Sequence, residues 1–576
     1  MCLSNHLVGQ ESQIQFLSGT GSDTTVDWEF RVSGGRNSGA WSTIAVPSNW
    51  EMQGFGTYRY GDDWSQDPAP DSVGLYRLRF TVPAAWQDGK VDIVFGGSMT
   101  DTEVRLNGTL AGPIHQGGFY EFRYDVTTLL EYGRENLLEV KVSRYSSNTS
   151  VNLAERRADF WLFSGLYRPV WLEALPPQHI TRVVVDARHT GDISIEAFVG
   201  GITTAERITA QVRELNGQEV GSAFAATVGP ETASVELHSR IMDVAPWSAE
   251  WPHLYLVELK LDDHGEVVHT VSERFGFRTV EVRPRDGLYV NDVRVRLKGV
   301  NRHSFWPTTG RTTSKELSIA DASLIKDMNM NAVRMSHYPP DRHFLDVADS
   351  LGLYVIDELT GWQDAYDTEV GTGLVREMVL RDVNHPSIIL WANGNEGGWN
   401  PELVDEYARW DPQQRTVIQP RDDLGGINTS HYETYDCCPG TFFRGDELFM
   451  PTEFLHGLYD GGHGAGLDDW WDLMLRNDLA VGGFLWAFAD EGIVRADMDG
   501  AIDVAGNRAP DGIVGPFRER EGSFYAIKET WSPVYVALSE QDDLPPTFDG
   551  ILRIENRYDH TDLTHVRFHW QLVDLP

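Results

Sequence analysis

From about residue 285 the chain settles into a repeated order, an apolar strand followed by an amphipathic helix, that persists for about 250 residues. Val295-Arg296-Leu297-Lys298-Gly299-Val300 reads as a strand. After it, Thr313 and Glu316 predict a capping box for a helix that sets Leu317, Ala320, Leu324, Ile325 and Met328 on one face. A strand at 332–335 follows. Pro339-Pro340-Asp341 then starts a helix with Phe344, Leu345, Ala348 and Leu351 at helical spacing, and 353–356 is the next strand. The order continues through strands at 388–391, 416–418, 448–450 and 483–488. Strands that alternate with helices pair in parallel, and this many units predict a (β/α)8 TIM barrel over 284–544.

The rest of the chain has a different period. Residues 1–177 hold short alternating segments, such as 90–95, 104–106 closed by Asn107-Gly108, and 137–142, which predict an antiparallel jelly-roll sandwich. Trp28, Trp41, Trp50, Trp64, Trp86, Trp161 and Trp171 are read as packing for its sheets, with a sugar-stacking face as the alternative. Pro176-Pro177 marks a linker. Strands at 181–185, 193–197, 208–212 and 254–259 then predict an immunoglobulin-like β-sandwich over 178–283, ending at Arg283-Pro284. Segments 550–556 and 566–572 read as two strands of a partial C-terminal β-domain over 545–576; two strands are not stable alone.

At 576 residues the chain is long enough for several cores, and its 86 acidic against 48 basic residues leave a formal charge of −38. That charge argues against nucleic acid and anionic membranes as partners. With no run of eighteen apolar residues and no charged-then-apolar leader before Gln10, a soluble protein without a membrane span is expected. Cys2, Cys437 and Cys438 make no disulfide framework, so the redox compartment stays open. Cys2 directly after Met1 is either a chance cysteine or the anchoring cysteine of a bacterial periplasmic lipoprotein. Homo-oligomerisation is also left open.

Two of the predicted strands run into glutamates, in Trp391-Ala392-Asn393-Gly394-Asn395-Glu396 and Met450-Pro451-Thr452-Glu453-Phe454. Barrel strands deliver side chains to one C-terminal mouth, so Glu396 and Glu453 can meet although 57 positions separate them. Glycoside hydrolysis needs such a pair, one carboxyl to protonate the leaving oxygen and one to stabilise the oxocarbenium-like centre. A single glutamate ending a strand is as often structural.

Pro47-Ser48-Asn49-Trp50-Glu51-Met52-Gln53-Gly54, Phe163-Ser164-Gly165-Leu166-Tyr167-Arg168, Gly299-Val300-Asn301-Arg302-His303 and Val333-Arg334-Met335-Ser336-His337-Tyr338-Pro339 stand in order with the two glutamate segments. In this the chain resembles glycoside hydrolase family 2, which includes β-galactosidases and β-glucuronidases. The resemblance implies that Glu396 is the general acid/base, Glu453 the nucleophile and Asn395 a ligand of the sugar 2-hydroxyl. It implies substrate contact for His303 and His337, an apolar sugar floor at Trp486, and a tyrosine on the nucleophile, Tyr432 or its rival Tyr435. Asp159 matches a sandwich aspartate that reaches the site, or else caps a turn.

Two departures bear on substrate. Asp357-Glu358 leads into Leu359-Thr360-Gly361-Trp362-Gln363 without the acidic and histidine ligands of large β-galactosidases, so no metal and no cofactor is expected. The Asn-x-Lys pair that grips a uronic acid is not visible. Arg518 and Arg520 are either binders of an acidic or sulfated sugar or surface partners of Glu519 and Glu521. The histidine-bearing loop 456–464 has no zinc spacing. The expected function is thus a retaining exo-β-glycosidase on an oligosaccharide or glycoside, most like a β-galactosidase. The alternatives are a β-glucuronidase or another enzyme of the family, and, from another class, an inactive carbohydrate-binding protein.

Overall fold

The computed structural model describes residues 10–63, 70–435, 447–459, 462–537 and 550–571. Cys2, Trp64, Cys437 and Cys438 lie outside them. No helix among the described residues is long and apolar enough to cross a membrane.

The N-terminal sandwich packs a six-stranded sheet on a four-stranded one. Burial alternates along Val26–Val32, where Trp28, Phe30 and Val32 point inward between exposed residues, the period a half-buried strand demands. Trp28, Trp50, Trp86 and Trp161 are buried, while Trp41 is 38% exposed. The second sandwich sets His179–Ala187, Asp192–Gly200 and Ser234–Arg240 against a five-stranded sheet that includes Arg207–Glu214 and Tyr255–Asp263. Ile195, Ile208, Val257 and Leu259 are fully buried between them.

Beyond it, six strands form one parallel sheet. Its order is Val417–Ile418, Ile388–Asn395, Tyr354–Trp362, Ala332–Arg334, Leu297–Asn301 and Gly482–Leu485. The strand 354–362 is buried almost throughout and 388–395 throughout, as parallel strands covered on both faces must be. Parallel bridges Phe449–Ala480 and Phe454–Leu485 join the far edge to the segment that carries Glu453.

Three local expectations change. Helix Lys315–Asp327 is capped by Ser314, whose hydroxyl accepts from Leu317 N. Thr313 instead donates to Asp341 Oδ2 at 2.7 Å. The helix buries Ser318, Asp321, Ala322 and Ile325, leaving Ala320 outside. The face turns because Asp321 is drawn inward by Arg302 at 2.8 Å and Arg518 at 2.6 Å. Finally, 566–571 forms no strand, and Arg553–Asn556 pairs with Val534–Ala537.

The sandwich motifs hold the domains together. Asn49 Oδ1 accepts from Arg311 N at 2.8 Å, and Arg168 donates to Asp341 Oδ1 at 2.9 Å and Pro339 O at 2.8 Å. Glu51 is buried against the Arg144 guanidinium and accepts from Ser164 N at 3.1 Å. A buried arginine needs this complete pairing to offset its desolvation.

Candidate active site

Arg334 organises the site. It is a fully buried guanidinium at the end of an apolar strand, so every donor must find an acceptor. Nε and Nη2 bind Glu358 at 2.7 and 3.0 Å, Nη1 binds Glu453 Oε1 at 2.7 Å and Asn301 Oδ1 at 3.0 Å, and Nη2 also binds Asn395 Oδ1 at 2.8 Å. One planar cation thereby fixes side chains from three strands of the parallel sheet and from the segment that follows Leu448–Phe449.

Glu453 takes three further positive or donor contacts. The Tyr432 hydroxyl donates to Oε2 at 2.6 Å, His431 Nδ1 lies 3.4 Å from Oε2, and His337 Nε2 is 3.9 Å from Oε1. Burial pushes the Glu453 carboxyl up, but His431, Arg334, His337 and the Tyr432 bond outweigh it and hold it at about 2. Tyr435 is 45% exposed and rests edge-on to Trp470, which leaves the tyrosine role to Tyr432.

Glu396 stands where the chain leaves its strand through a left-handed residue, φ 49, a conformation that non-glycine residues seldom adopt. The turn is kept by Glu396 N on Pro420 O at 3.2 Å and Gly398 N on Asn395 O at 2.7 Å. It also needs glycine at 394, where a Cβ would meet Gly398 O at 2.0 Å. His431 Nδ1 lies 2.9 Å from Glu396 Oε1, and Arg421 lies 3.6 Å from Oε2. Burial raises this carboxyl, the His431 hydrogen bond lowers it, Glu453 raises it, and the balance with the charges of His431 and Arg421 is downward. One oxygen of Glu396, one of Glu453 and a His431 nitrogen all lie within 4.8 Å of one another.

The other expected residues gather here too. Asn395 Oδ1 is taken by Arg334, while its buried Nδ2 has no acceptor among the described residues, a donor left for a ligand oxygen. His337 is held by Glu358 at 2.9 Å and stacks on Trp486 with ring centres 5.1 Å apart. His303 lies 2.9 Å from the Tyr338 hydroxyl and 5.5 Å, centre to centre, from Trp486; burial and the surrounding cations keep it neutral. Trp486 Nε1 donates to Asp511 Oδ2 at 2.7 Å. Asp159 comes from the N-terminal sandwich. It retains solvent access yet is ringed by protein, and this desolvation, opposed by His337 and reinforced by Glu453 and Glu396, raises it to about 6. Burial raises Asp511 to about 8, with Asp159 and Asp490 adding to it, and lifts Glu491 well above the usual carboxylate range.

Arg518 and Arg520 are not free for a ligand. They pair with Asp321 and with Asp327 at 2.7 Å, rather than with Glu519 and Glu521. Two clusters among the described residues bring metal-type atoms together, Asp346-Asp349-His385 and Glu396-His431-Glu453. His385 and Arg274 engage the first, and Arg334, Tyr432 and the internal Glu396–His431 bond engage the second, so neither is assigned an ion.

Arg334 and His431 were not among the expected site residues. Arg334 has a sequence signal, since an arginine between Val333 and Met335 in a buried strand requires partners. His431 has only its place beside Tyr432.

Two carboxyls brought together beside a parallel sheet, in a chain that also carries two β-sandwiches, define a multidomain protein with a paired-carboxyl site. The chain belongs to glycosyl hydrolases family 2. Three models of that family match it in succession, the sugar binding domain at 35–176, a family 2 domain at 178–278 and the TIM barrel domain at 280–418. The chain is 28% identical to a β-galactosidase of Psychromonas ingrahamii, over 89% of its own length and 55% of the relative's. It is 29% identical to one of Priestia megaterium, over 92% and 56%. It thus spans about half the length of the curated relatives it matches. Among solved structures, a Bacteroides uniformis β-glucuronidase superposes with TM-score 0.75 at 19% identity, covering 91% of this chain and 70% of that one.

Proposed function

We propose that the chain is a retaining exo-β-glycosidase that releases terminal β-linked sugars, most like a β-galactosidase, by double displacement. In this reading Glu453 attacks the anomeric carbon while Glu396 protonates the leaving oxygen. Water then enters, Glu396 takes its proton, and the Glu453 ester is hydrolysed. The observation that carries the reading is the pair of carboxyl oxygens within 4.8 Å, the short spacing of a retaining site rather than the wider gap that admits water between the carboxyls. The different surroundings of the two carboxyls agree with it, Arg334 and Tyr432 holding Glu453 ionised as a nucleophile must be. The parallel strands, with the segments around 427 and 449, are read as a closed eight-stranded barrel whose C-terminal mouth is the site. The segment after 545 is read as the start of a further β-sandwich.

A neutral sugar is favoured over a uronic acid. Asp159, Asp511 and Glu491 act on one another and on Tyr60, each already hard to ionise, and a ligand carboxylate beside them would be harder still to accommodate as an anion. Hydroxyl groups suit such surroundings. The β-glucuronidase reading is supported by fold likeness, and Arg311 and Arg508 are cations that act on the same group of residues. A panel of nitrophenyl glycosides tests the proposal: fastest turnover on the β-galactoside supports it, preference for the β-glucuronide moves the chain to the alternative, and no turnover on any member favours a binding protein.

A further inference from the structure

His431 sits with both ring nitrogens committed. Its side chain is 1% exposed. Nε2 lies 2.8 Å from Thr452 Oγ1, and that hydroxyl is 3.2 Å from the carbonyl of Thr429, to which it donates. A hydroxyl that has given its proton to a carbonyl can only accept from the other side, so Nε2 carries the N–H. Nδ1 then faces Glu396 Oε1 at 2.9 Å, with Glu453 Oε2 at 3.4 Å. A bare Nδ1 against an ionised Glu396 would set two acceptors face to face. One proton must therefore lie between Nδ1 and Oε1.

We propose that His431 is the proton-holding partner of Glu396, the two side chains sharing a single proton along the Nδ1–Oε1 bond and presenting it to the leaving group through Glu396. This rests on the reading of Glu396 as acid/base. It answers a difficulty in that role, because a carboxyl kept low by its neighbours would otherwise be empty when a proton is needed. In the first step the shared proton passes from Glu396 to the glycosidic oxygen as that C–O bond breaks and the bond to Glu453 forms, leaving Glu396 ionised and His431 neutral. In the second, water gives a proton back to Glu396 while its oxygen bonds the anomeric carbon, and Glu453 leaves as carboxylate. His431 is a positioning residue here, acting through Glu396.

The charged and titratable groups around the pair are Glu453 beside Nδ1, Arg421 beside Glu396, Arg334, His337 and Tyr432 on Glu453, and His456, whose ring centre lies 5.4 Å from that of Tyr432. Asp159, from the N-terminal sandwich, is a further carboxyl that acts on Glu396 and Glu453 but makes no hydrogen bond or ion pair with His431 among the described residues. The carboxylate most able to retain a proton on His431 when Glu396 loses its own is therefore Glu453.

His431→Gln tests this, since glutamine can still donate to Glu396 but cannot hold a second proton. In the native protein the proton is held between two atoms, His431 Nδ1 and Glu396 Oε1; in the variant Glu396 holds it alone. The basic limb of kcat/KM should then move to lower pH. Slow leaving groups should lose more rate than dinitrophenyl glycosides. An unmoved basic limb with equal loss on all leaving groups would reduce His431 to packing and overturn the proposal. Should the variant not fold, 15N spectra of histidine-labelled native protein decide. Nε2 should carry the proton; an unprotonated Nε2 overturns the wiring. That readout needs no turnover, so it fails separately from the glycosidase reading.

Discussion

Arg334 Nη2 donates to Asn395 Oδ1 at 2.8 Å, and in doing so fixes which end of the Asn395 amide faces the open site. The NH2 group is left buried and without an acceptor among the described residues. A buried donor held empty in this way costs roughly 1–3 kcal/mol until something accepts from it.

Asn395→Ala should therefore lower kcat/KM by roughly 10- to 100-fold, the loss expected for one buried hydrogen bond that tightens in the transition state. A 2-deoxy glycoside should lose much less on going from native protein to variant. Equal losses on the two substrates would mean that Asn395 acts elsewhere than at the 2-hydroxyl.

Glu396→Ala and Glu453→Ala should separate by leaving group. Loss of proton donation should cost roughly 10²- to 10⁴-fold on a natural disaccharide and far less on an activated aryl glycoside. Glu453→Ala should be nearly inactive on both. Azide should rescue Glu396→Ala by forming a β-glycosyl azide; product analysis by NMR gives the anomer, and an α-azide would contradict the assignment.

Tyr432→Phe removes a hydrogen bond that lowers the Glu453 carboxyl, which sits at about 2. Without it the folded-state value rises, so the acid limb of kcat/KM should move to higher pH. Rates across a pH series, beside thermal melts to confirm folding, check the direction; a limb that stays or moves down refutes it.

Asp511 makes stability depend on pH in the opposite sense to an ordinary paired carboxylate. Its folded value is raised to about 8, against roughly 4 unfolded, so between those values the folded state binds more protons. Its contribution is whole below pH 4 and is lost as pH climbs towards 8. Asp511→Asn keeps an acceptor for Trp486 Nε1 and cannot ionise. The variant should gain Tm relative to the native protein at pH 8 and show little gain at pH 5, measured by calorimetry.

Exhaustive dialysis against EDTA should leave turnover unchanged. Both oxygens of Glu358 are engaged by Arg334, and one also by His337, so the counter-charge beside Glu453 is a guanidinium. Loss of activity that magnesium restores, without unfolding, would reveal a ligand set outside these contacts.

Much of this was legible before any coordinates because period and strand-end chemistry are local. The change from alternating to strand-helix order near 285 marks the parallel sheet, and Asn395-Glu396 declares itself by ending a buried strand, while Thr452-Glu453 follows the short strand Leu448–Phe449. What was not legible depends on distant partners. Helix 315–327 turned its face because Arg302 and Arg518 drew Asp321 inward, and Arg518 is 197 positions from that aspartate. His431 became important only through Thr452 and Glu396, from two other segments. Segment 566–571 has strand-like composition, yet strand propensity counts only where a neighbouring edge is available.

Asp159 carries a consequence for how such a chain can change. It belongs to the N-terminal sandwich, so one side of the candidate site comes with that domain, while Glu396 follows directly on a strand of the parallel sheet. A barrel excised from its sandwiches would retain Glu396 and Glu453 but lose this boundary, along with the clasp of Arg168 on Asp341. Under the proposed function, substitutions in the sandwich would retune which sugar is admitted without touching Glu396 or Glu453. The two properties lie on separate stretches of one polypeptide.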